Sequence, residues 1–284
     1  MKVFKLYFRT PLRVGEAGIG LEKSSEIIHS DTLFGAIANA LARLNEDVEE
    51  FIYKVRDEEL RFSSCFPFKD DTYYLPAPHL PLEKKLGFLT LENFEKVISG
   101  RIDEIPDNTD VDFIEKLEIP KVALDRLASN SNIYYLTAIK FYGNSGLYFM
   151  VKGKYKILEI ALKYLQDEGI GGKKTWGLGK FELGEGEISI RGDGDHYLTL
   201  SLTYPQKLES IVYWKPLVRG GWINTERKTM RKPKVIMASE GSIFREDDEG
   251  EVVNLNVAYT DLPSVAGHDI YTNGKSFLIR MVVE

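Results

Sequence analysis

The sequence predicts an α+β protein: a ferredoxin-like, RRM-like β-α-β-β-α-β unit with a long insertion, followed by a second, strand-rich part. Three observations carry this. Apolar residues alternate with period two at the N-terminus and again in the middle of the chain. Two separate stretches instead repeat their apolar residues at helical spacing. Beyond about Gly184 no helical pattern recurs, and β-branched and aromatic segments follow one another.

Val3 to Arg9 places Phe4, Leu6 and Phe8 on one face and reads as the first strand, with Pro11 to Gly20 as a connecting loop. Ser30-Asp31-Thr32 offers helix-capping side chains ahead of Leu33, Phe34, Ile37, Ala38, Leu41 and Leu44, the first helix. An insertion is expected over about 45–132. Ile133 to Tyr142 and Leu147 to Val151 then read as a hairpin around Gly143-Asn144-Ser145-Gly146. Ile157, Leu158, Ala161, Leu162 and Leu165 mark the second helix, which Gly169 can cap, and Leu178 to Leu183 makes the fourth strand. The first domain is thus expected at 1–184 and the strand-rich one at 185–284. The second contains strand candidates at Tyr197–Tyr204, Ile211–Val218, Lys234–Ala238, Val252–Tyr259 and Phe277–Val283. Glu246 to Glu249 reads as a solvated turn ending at Gly250.

The segment least like ordinary structure runs from Gly169 to Lys180: five glycines, Lys173, Lys174, Lys180 and Trp176, with no acid. Glycines allow positive φ and close approach to a ligand, lysines supply charge, and an indole face can stack on a base, so the loop reads as a cradle for a phosphate backbone. It is not a Walker or Rossmann loop, because it follows a helix and precedes a strand, leaving no following helix to face a phosphate.

The chain of 284 residues, 43% hydrophobic, is long enough to bury a substantial core. Its single cysteine, Cys65, excludes an internal disulfide framework, and no run reaches the ~20 apolar residues a membrane helix needs. The N-terminus opens into a strand pattern, so a cytoplasmic location is expected. A net charge of −6 argues against nucleic acid only if charge is spread evenly. It is not: Tyr213 to Lys234 holds Lys215, Arg219, Arg227, Lys228, Arg231, Lys232 and Lys234 against Glu226 alone. Gly220, Gly221 and Trp222 sit inside that basic stretch. No cofactor or metal is called for; Asp107, Asp110 and Asp112 lack the spacing of a calcium loop.

Pro11-Leu12-Arg13-Val14-Gly15, the segment Ile28 to Ala36 opening the first helix, and Gly169 to Lys180 together resemble the RAMP superfamily of CRISPR-associated proteins. Within it the chain is most similar to the fourth-subunit family of the type III-A Csm effector, a resemblance covering nearly the whole length. It implies a noncatalytic subunit of modified ferredoxin-like domains that holds the repeat-derived 5′ tag of the crRNA. It also implies contacts with the large polymerase-like subunit and the repeating backbone subunit. Carried over, Gly171, Gly172, Lys173, Lys174, Thr175, Trp176, Gly177, Gly179 and Lys180 would hold the tag, and His29, Ser30, Asp31 and Thr32 a neighbouring phosphate. Arg219 to Trp222, Arg227, Lys228, Arg231 and Lys232 would extend the path. A thumb that displaces a nucleotide would lie in the insertion near Lys121 and Arg126.

Two other functions fit parts of the pattern. In a metal-independent endoribonuclease, His29 would act as general base and Lys173 or Lys174 would stabilise the phosphorane. In a protein-only scaffold the loop cations would have no ligand. A lone histidine is weak support for catalysis, which needs several convergent groups.

Overall fold

Alternating and helical patterns resolve, in a computed structural model, into seventeen strands and four α-helices among the described residues. These residues are 1–15, 20–81, 86–106, 111–125, 130–224, 229–258 and 269–283. In chain order the elements are β1 (Lys2–Phe8), α1 (Ser30–Arg43), α2 (Val48–Arg56), β2 (Leu60–Phe62), β3 (Phe66–Lys69), β4 (Thr72–Pro76), β5 (Phe88–Thr90) and α3 (Leu91–Ile98). Next come β6 (Ile114–Asp125), β7 (Asn130–Phe141), β8 (Ser145–Gly153), α4 (Lys156–Glu168) and β9 (Phe181–Glu187). The remainder is β10 (His196–Thr199), β11 (Ile211–Tyr213), β12 (Pro216–Asn224), β13 (Thr229–Ala238), β14 (Ile243–Phe244), β15 (Gly250–Asn254), β16 (Tyr271–Lys275) and β17 (Leu278–Met281).

β1 lies between β8 and the edge strand β9 in a seven-stranded sheet ordered β5-β4-β3-β8-β1-β9, with β2 also pairing with β8. Its period-two pattern is used on both faces. Phe4 and Leu6 join a core with α1 and α4, whereas Val3 joins a second core on the opposite face with α3, Leu198, Ile243 and Phe277. The second sheet, β11-β14-β10-β17, therefore closes the side of the first that the two long helices leave open.

The ferredoxin-like order survives with one exchange of strands. The expected hairpin of Ile133–Tyr142 with Leu147–Val151 does not form: β7 pairs with β6 from Ile114↔Phe141 to Asp125↔Asn130, making a separate two-stranded arm. β2 and β3, from the stretch read as an insertion, instead occupy the place beside β8. Sequence-adjacent strands compete with any other apolar strand for an edge, and Phe66 and Phe68 bury completely there. Their aromatic rings fill the second core, shared with Val3, α3 and the second sheet.

α4 ends as expected, with Gly169 at φ +87°. α1 differs: its N-cap is His29, and none of the polar side chains in the motif caps the helix. Glu246 to Glu249 is only partly a solvated turn. Asp248 is buried and its carboxylate accepts hydrogen bonds from the amides of Gln206, Lys207 and Gly250 and from the Ser210 hydroxyl.

Candidate RNA interface

Glycine-loop geometry follows from what α4 must do next. The chain has to reverse onto β1, and it does so with Gly169, Gly171, Gly177 and Gly179 all at positive φ and Lys173 in the left-handed region. Three of these glycines are required for packing as well as for φ. A Cβ on Gly169 would collide with the Leu178 carbonyl, one on Gly171 with the Arg13 carbonyl and one on Gly179 with the Ile170 carbonyl. A side chain on Gly177 would meet open space. The Gly172 amide donates to Arg13 O at 2.8 Å, the Gly179 amide to Pro11 O at 2.9 Å and the Lys180 amide to Thr10 Oγ1 at 2.9 Å.

That segment, Pro11 to Val14, is itself laced to the β6–β7 arm. Leu12 and Ile139 exchange amide–carbonyl bonds of 2.7 and 2.6 Å. The buried Arg13 guanidinium donates to carbonyls of Leu21, Lys23, Gly20 and Thr137. Burial pushes its pKa below the ordinary value. Arg13 is thus a clamp that fixes loop and arm against each other.

The consequence is a cluster that sequence reading assigned to two different features. Trp176 is 43% exposed, with the Lys173 ammonium 4.6 Å and the Lys121 ammonium of β6 4.8 Å from its ring centroid. Both are cation–π distances. Thr175 and Lys180 are exposed beside it. Lys174 is engaged differently: its ammonium pairs with Glu168 at 3.2 Å, from the last turn of α4.

The segment opening α1 forms a second cluster with another character. His29, Ser30 and Asp31 are buried against the C-terminal half. His29 Nδ1 donates to Glu240 Oε1 at 2.8 Å, Ser64 Oγ donates to the same oxygen, and the Ser30 hydroxyl accepts from the Leu202 amide at 3.0 Å. The Arg219 guanidinium grips Asp31 through Nε–Oδ2 at 2.8 Å and Nη2–Oδ1 at 2.9 Å, and Nη2 also donates to Thr32 Oγ1. Burial pushes the Asp31 carboxyl up, but the charge and hydrogen bonds of Arg219 more than reverse it, leaving the group below its ordinary 3.8. Glu240 is likewise buried yet held below 4.5 by His29 and Ser64. Lys232 is pushed down by burial, partly offset by Asp31, and its ammonium donates to Tyr271 O at 3.4 Å. The side chains expected to meet a phosphate thus tie the start of α1 to the β12–β13 ribbon and to the turn after β13. Sequence spacing carried no sign of Glu240 or Ser64, which lie 211 and 35 positions from His29.

A third group stands on the β12–β13 ribbon. Its pairing slips between Arg219↔Val235 and Gly221↔Lys232, at Gly220-Gly221, and the outer half presents Trp222 at 63% exposure. Arg231, its cross-strand partner, lies 5.3 Å from the indole. Arg126, Arg227, Lys228, Asp107 and Asp110 lie outside the described residues; Asp112 pairs with Lys69 at 3.3 Å. Among the described residues no helix is long and apolar enough to cross a membrane.

Comparison with known proteins follows this geometry closely. The RAMP superfamily model matches residues 5–182, from β1 through the glycine loop, and the CRISPR Csm4 C-terminal domain model matches residues 192–281. The CRISPR system protein Csm4 of Thermococcus onnurineus (strain NA1) is 33% identical over 281 residues, covering 89% of this chain and 91% of its own length. A crystal structure of a Csm1-Csm4 cassette in complex with pppApA aligns with TM-score 0.70 and 25% identity, over 100% of this chain and 98% of the other. A Csm3-Csm4 subcomplex of the type III-A CRISPR-Cas interference complex shares the fold at TM-score 0.68 and 20% identity, over 100% of both chains. On a superfamily match over most of the length and a relative one-third identical almost end to end, the chain belongs to the RAMP superfamily and, within it, to the Csm4 family.

Proposed function

We propose that the protein is the RNA-binding Csm4 subunit of a type III-A CRISPR effector. In this role it holds the repeat-derived 5′ tag of the crRNA and joins a Csm1-type large subunit to a Csm3-type backbone subunit. The partner assignment is supported by the relatives, solved as Csm1-Csm4 and Csm3-Csm4 assemblies. The RNA assignment is carried by one observation: Trp176, exposed between the lysines of the loop and of the β6–β7 arm, over a backbone bent into left-handed conformations. A single-stranded tag presents bases for that indole and phosphates for Lys121 and Lys173. Trp222 with Arg231 offers a second stacking platform along the same strand. The thumb of this reading is the β6–β7 arm, which carries Lys121 to the loop.

A noncatalytic role fits the same geometry. His29 is 6% exposed with Nδ1 on Glu240, so the only histidine in the helix-opening motif is turned into the protein instead of toward a 2′-hydroxyl. The test is binding of a labelled 5′ tag and of a scrambled RNA across salt concentrations. Wild type is to be compared with Lys173→Ala/Lys174→Ala/Trp176→Ala, alone and with the neighbouring subunits. Loss of tag preference with a shallower salt dependence is the expected result. Equal, weak binding by all forms would leave a protein-only scaffold.

A further inference from the structure

Where the two sheets meet on the side away from the glycine loop, two cross-strand pairs face one another. Arg61 of β2 lies opposite Lys152 of β8, and Tyr197 of β10 lies opposite Arg280 of β17. Between them is a cavity of about 410 Å³, floored by Phe277. Like charges directly opposite on paired strands repel, so the Arg61–Lys152 pair is unfavourable for the sheet by itself. Arg61 is compensated by Glu58 at 2.6 Å and Glu249 at 3.0 Å. Lys152 and Arg280 are not: among the described residues no carboxylate lies within 4.0 Å of either charge. The Lys152 ammonium rests over the Phe277 ring at 4.6 Å, and the Arg280 guanidinium lies 5.9 Å from the Tyr197 ring. Burial first, and then Arg61, push the Lys152 ammonium below its ordinary pKa, the direction expected of a cation lacking an anion. Asp247 lines the cavity too, exposed and close enough to act on Lys152 through space without pairing with it.

We propose that this crease binds a nucleoside monophosphate unit, its phosphate between Lys152 and Arg280 and its base against Tyr197. A guanidinium from one sheet and an ammonium from the other, lining one cavity, suit a phosphate better than a flat surface would, since each can supply a charge-assisted hydrogen bond. The cavity size falls in the range of small-ligand sites. An aromatic wall adds a stacking face that a bare anion does not need. The site is separate from the proposed tag cradle. Lys152 follows Val151, the partner of Lys2, while the glycine loop enters β9 at Phe181, opposite Phe8, about 20 Å further along β1. The unit can be a free nucleotide or one residue of an RNA strand, and the chemistry recognised is the same.

Calorimetric titration of the full chain with AMP, with adenosine and with a five-nucleotide RNA decides the matter. Variants are Lys152→Gln, Arg280→Gln, Asp247→Asn and the loop double variant Lys173→Ala/Lys174→Ala, each checked by thermal melting. Loss of one charge-assisted hydrogen bond should weaken AMP roughly tenfold in Lys152→Gln and in Arg280→Gln, whereas Asp247→Asn should tighten it a few-fold. Adenosine should bind no variant, and the loop variant should keep AMP while losing tag preference, which separates this site from the cradle. If only the RNA responds to Lys152 and Arg280, the unit comes from a strand; if AMP responds, free nucleotide suffices. Should Lys152→Gln fail to fold, the opposite shifts of Arg280→Gln and Asp247→Asn still carry the test. Failure of wild type to bind either AMP or RNA at this site would overturn the proposal, as would AMP binding abolished by the loop variant alone. An acidic peptide that binds with the same Lys152 and Arg280 dependence while AMP does not would also overturn it.

Discussion

Trp176 concentrates the proposed function in one side chain because the loop and the arm converge on its ring through Lys173 and Lys121. Stacking on an aromatic platform contributes about 1–3 kcal/mol per base, so Trp176→Ala should weaken tag binding by that amount and Trp176→Phe by less. Fluorescence anisotropy with labelled tag measures both, and an unchanged affinity in Trp176→Ala would remove the stacking role. Lys173→Ala should lower the slope of log affinity against log salt by about 0.7, the value for one phosphate contact on a single strand. The Asp31–Arg219 pair answers to a different assay. Both side chains are buried, so removing one partner strands a charge: Asp31→Asn or Arg219→Ala should each cost about 3–5 kcal/mol in denaturant unfolding. Residues of the two classes look alike in sequence, polar and clustered, and only their exposure tells a ligand contact from a fastener.

At the scale of elements, the glycine loop is a fixed turn and not a slack one. Gly177 and Gly179 share nearly the same positive φ, +81° and +78°, but only Gly179 has a carbonyl where a Cβ would go. Gly177→Ala should therefore cost about 1–2 kcal/mol of strain, whereas Gly179→Ala, which must also displace Ile170, should cost distinctly more. Melting curves of the two variants test this, and equal losses would mean that φ alone matters. The β6–β7 arm shows what local pattern could not resolve. β7 was legible from alternation while β6 lay unread within the expected insertion, and alternation assigns a face and not a partner. Their neighbour was settled by Leu12 and Ile139, which dock the arm on the segment beneath the loop.

For the whole molecule, buried carboxylates join the start of α1 to the C-terminal half. Asp31 and Glu240 both titrate below their ordinary values of 3.8 and 4.5 in the folded protein. A folded-state pKa below the unfolded one stabilises fully above the unfolded value and loses that contribution as pH falls through the folded one. Stability should accordingly be flat through neutral pH and fall below about pH 4.5, with Asp31→Asn/Glu240→Gln less stable but less dependent on acid. Melting temperature followed from pH 7 to 3 checks it; an acid dependence unchanged in the double variant would place the titrating groups elsewhere. The same latch bears on the basic stretch from Lys215 to Lys234. Arg219 and Lys232 face inward to Asp31 and Tyr271, leaving Arg231 as the cation beside exposed Trp222.

By itself the sequence determined the fold class, the two long helices and the glycine loop with its exposed indole. Each depends on local rules: apolar period, the φ that only glycine takes readily, and a lysine-flanked Trp that a core would reject. Its motifs also pointed to the RAMP superfamily, which the comparisons bear out. Tertiary structure decided which strand lies beside β8, that Lys121 reaches Trp176, and that His29, Ser30 and Asp31 turn inward to Glu240, Leu202 and Arg219. It also set Lys152 across a cavity from Arg280. Those outcomes join residues far apart in the chain, where strand edges and buried charges select partners by global packing and no local spacing records the choice.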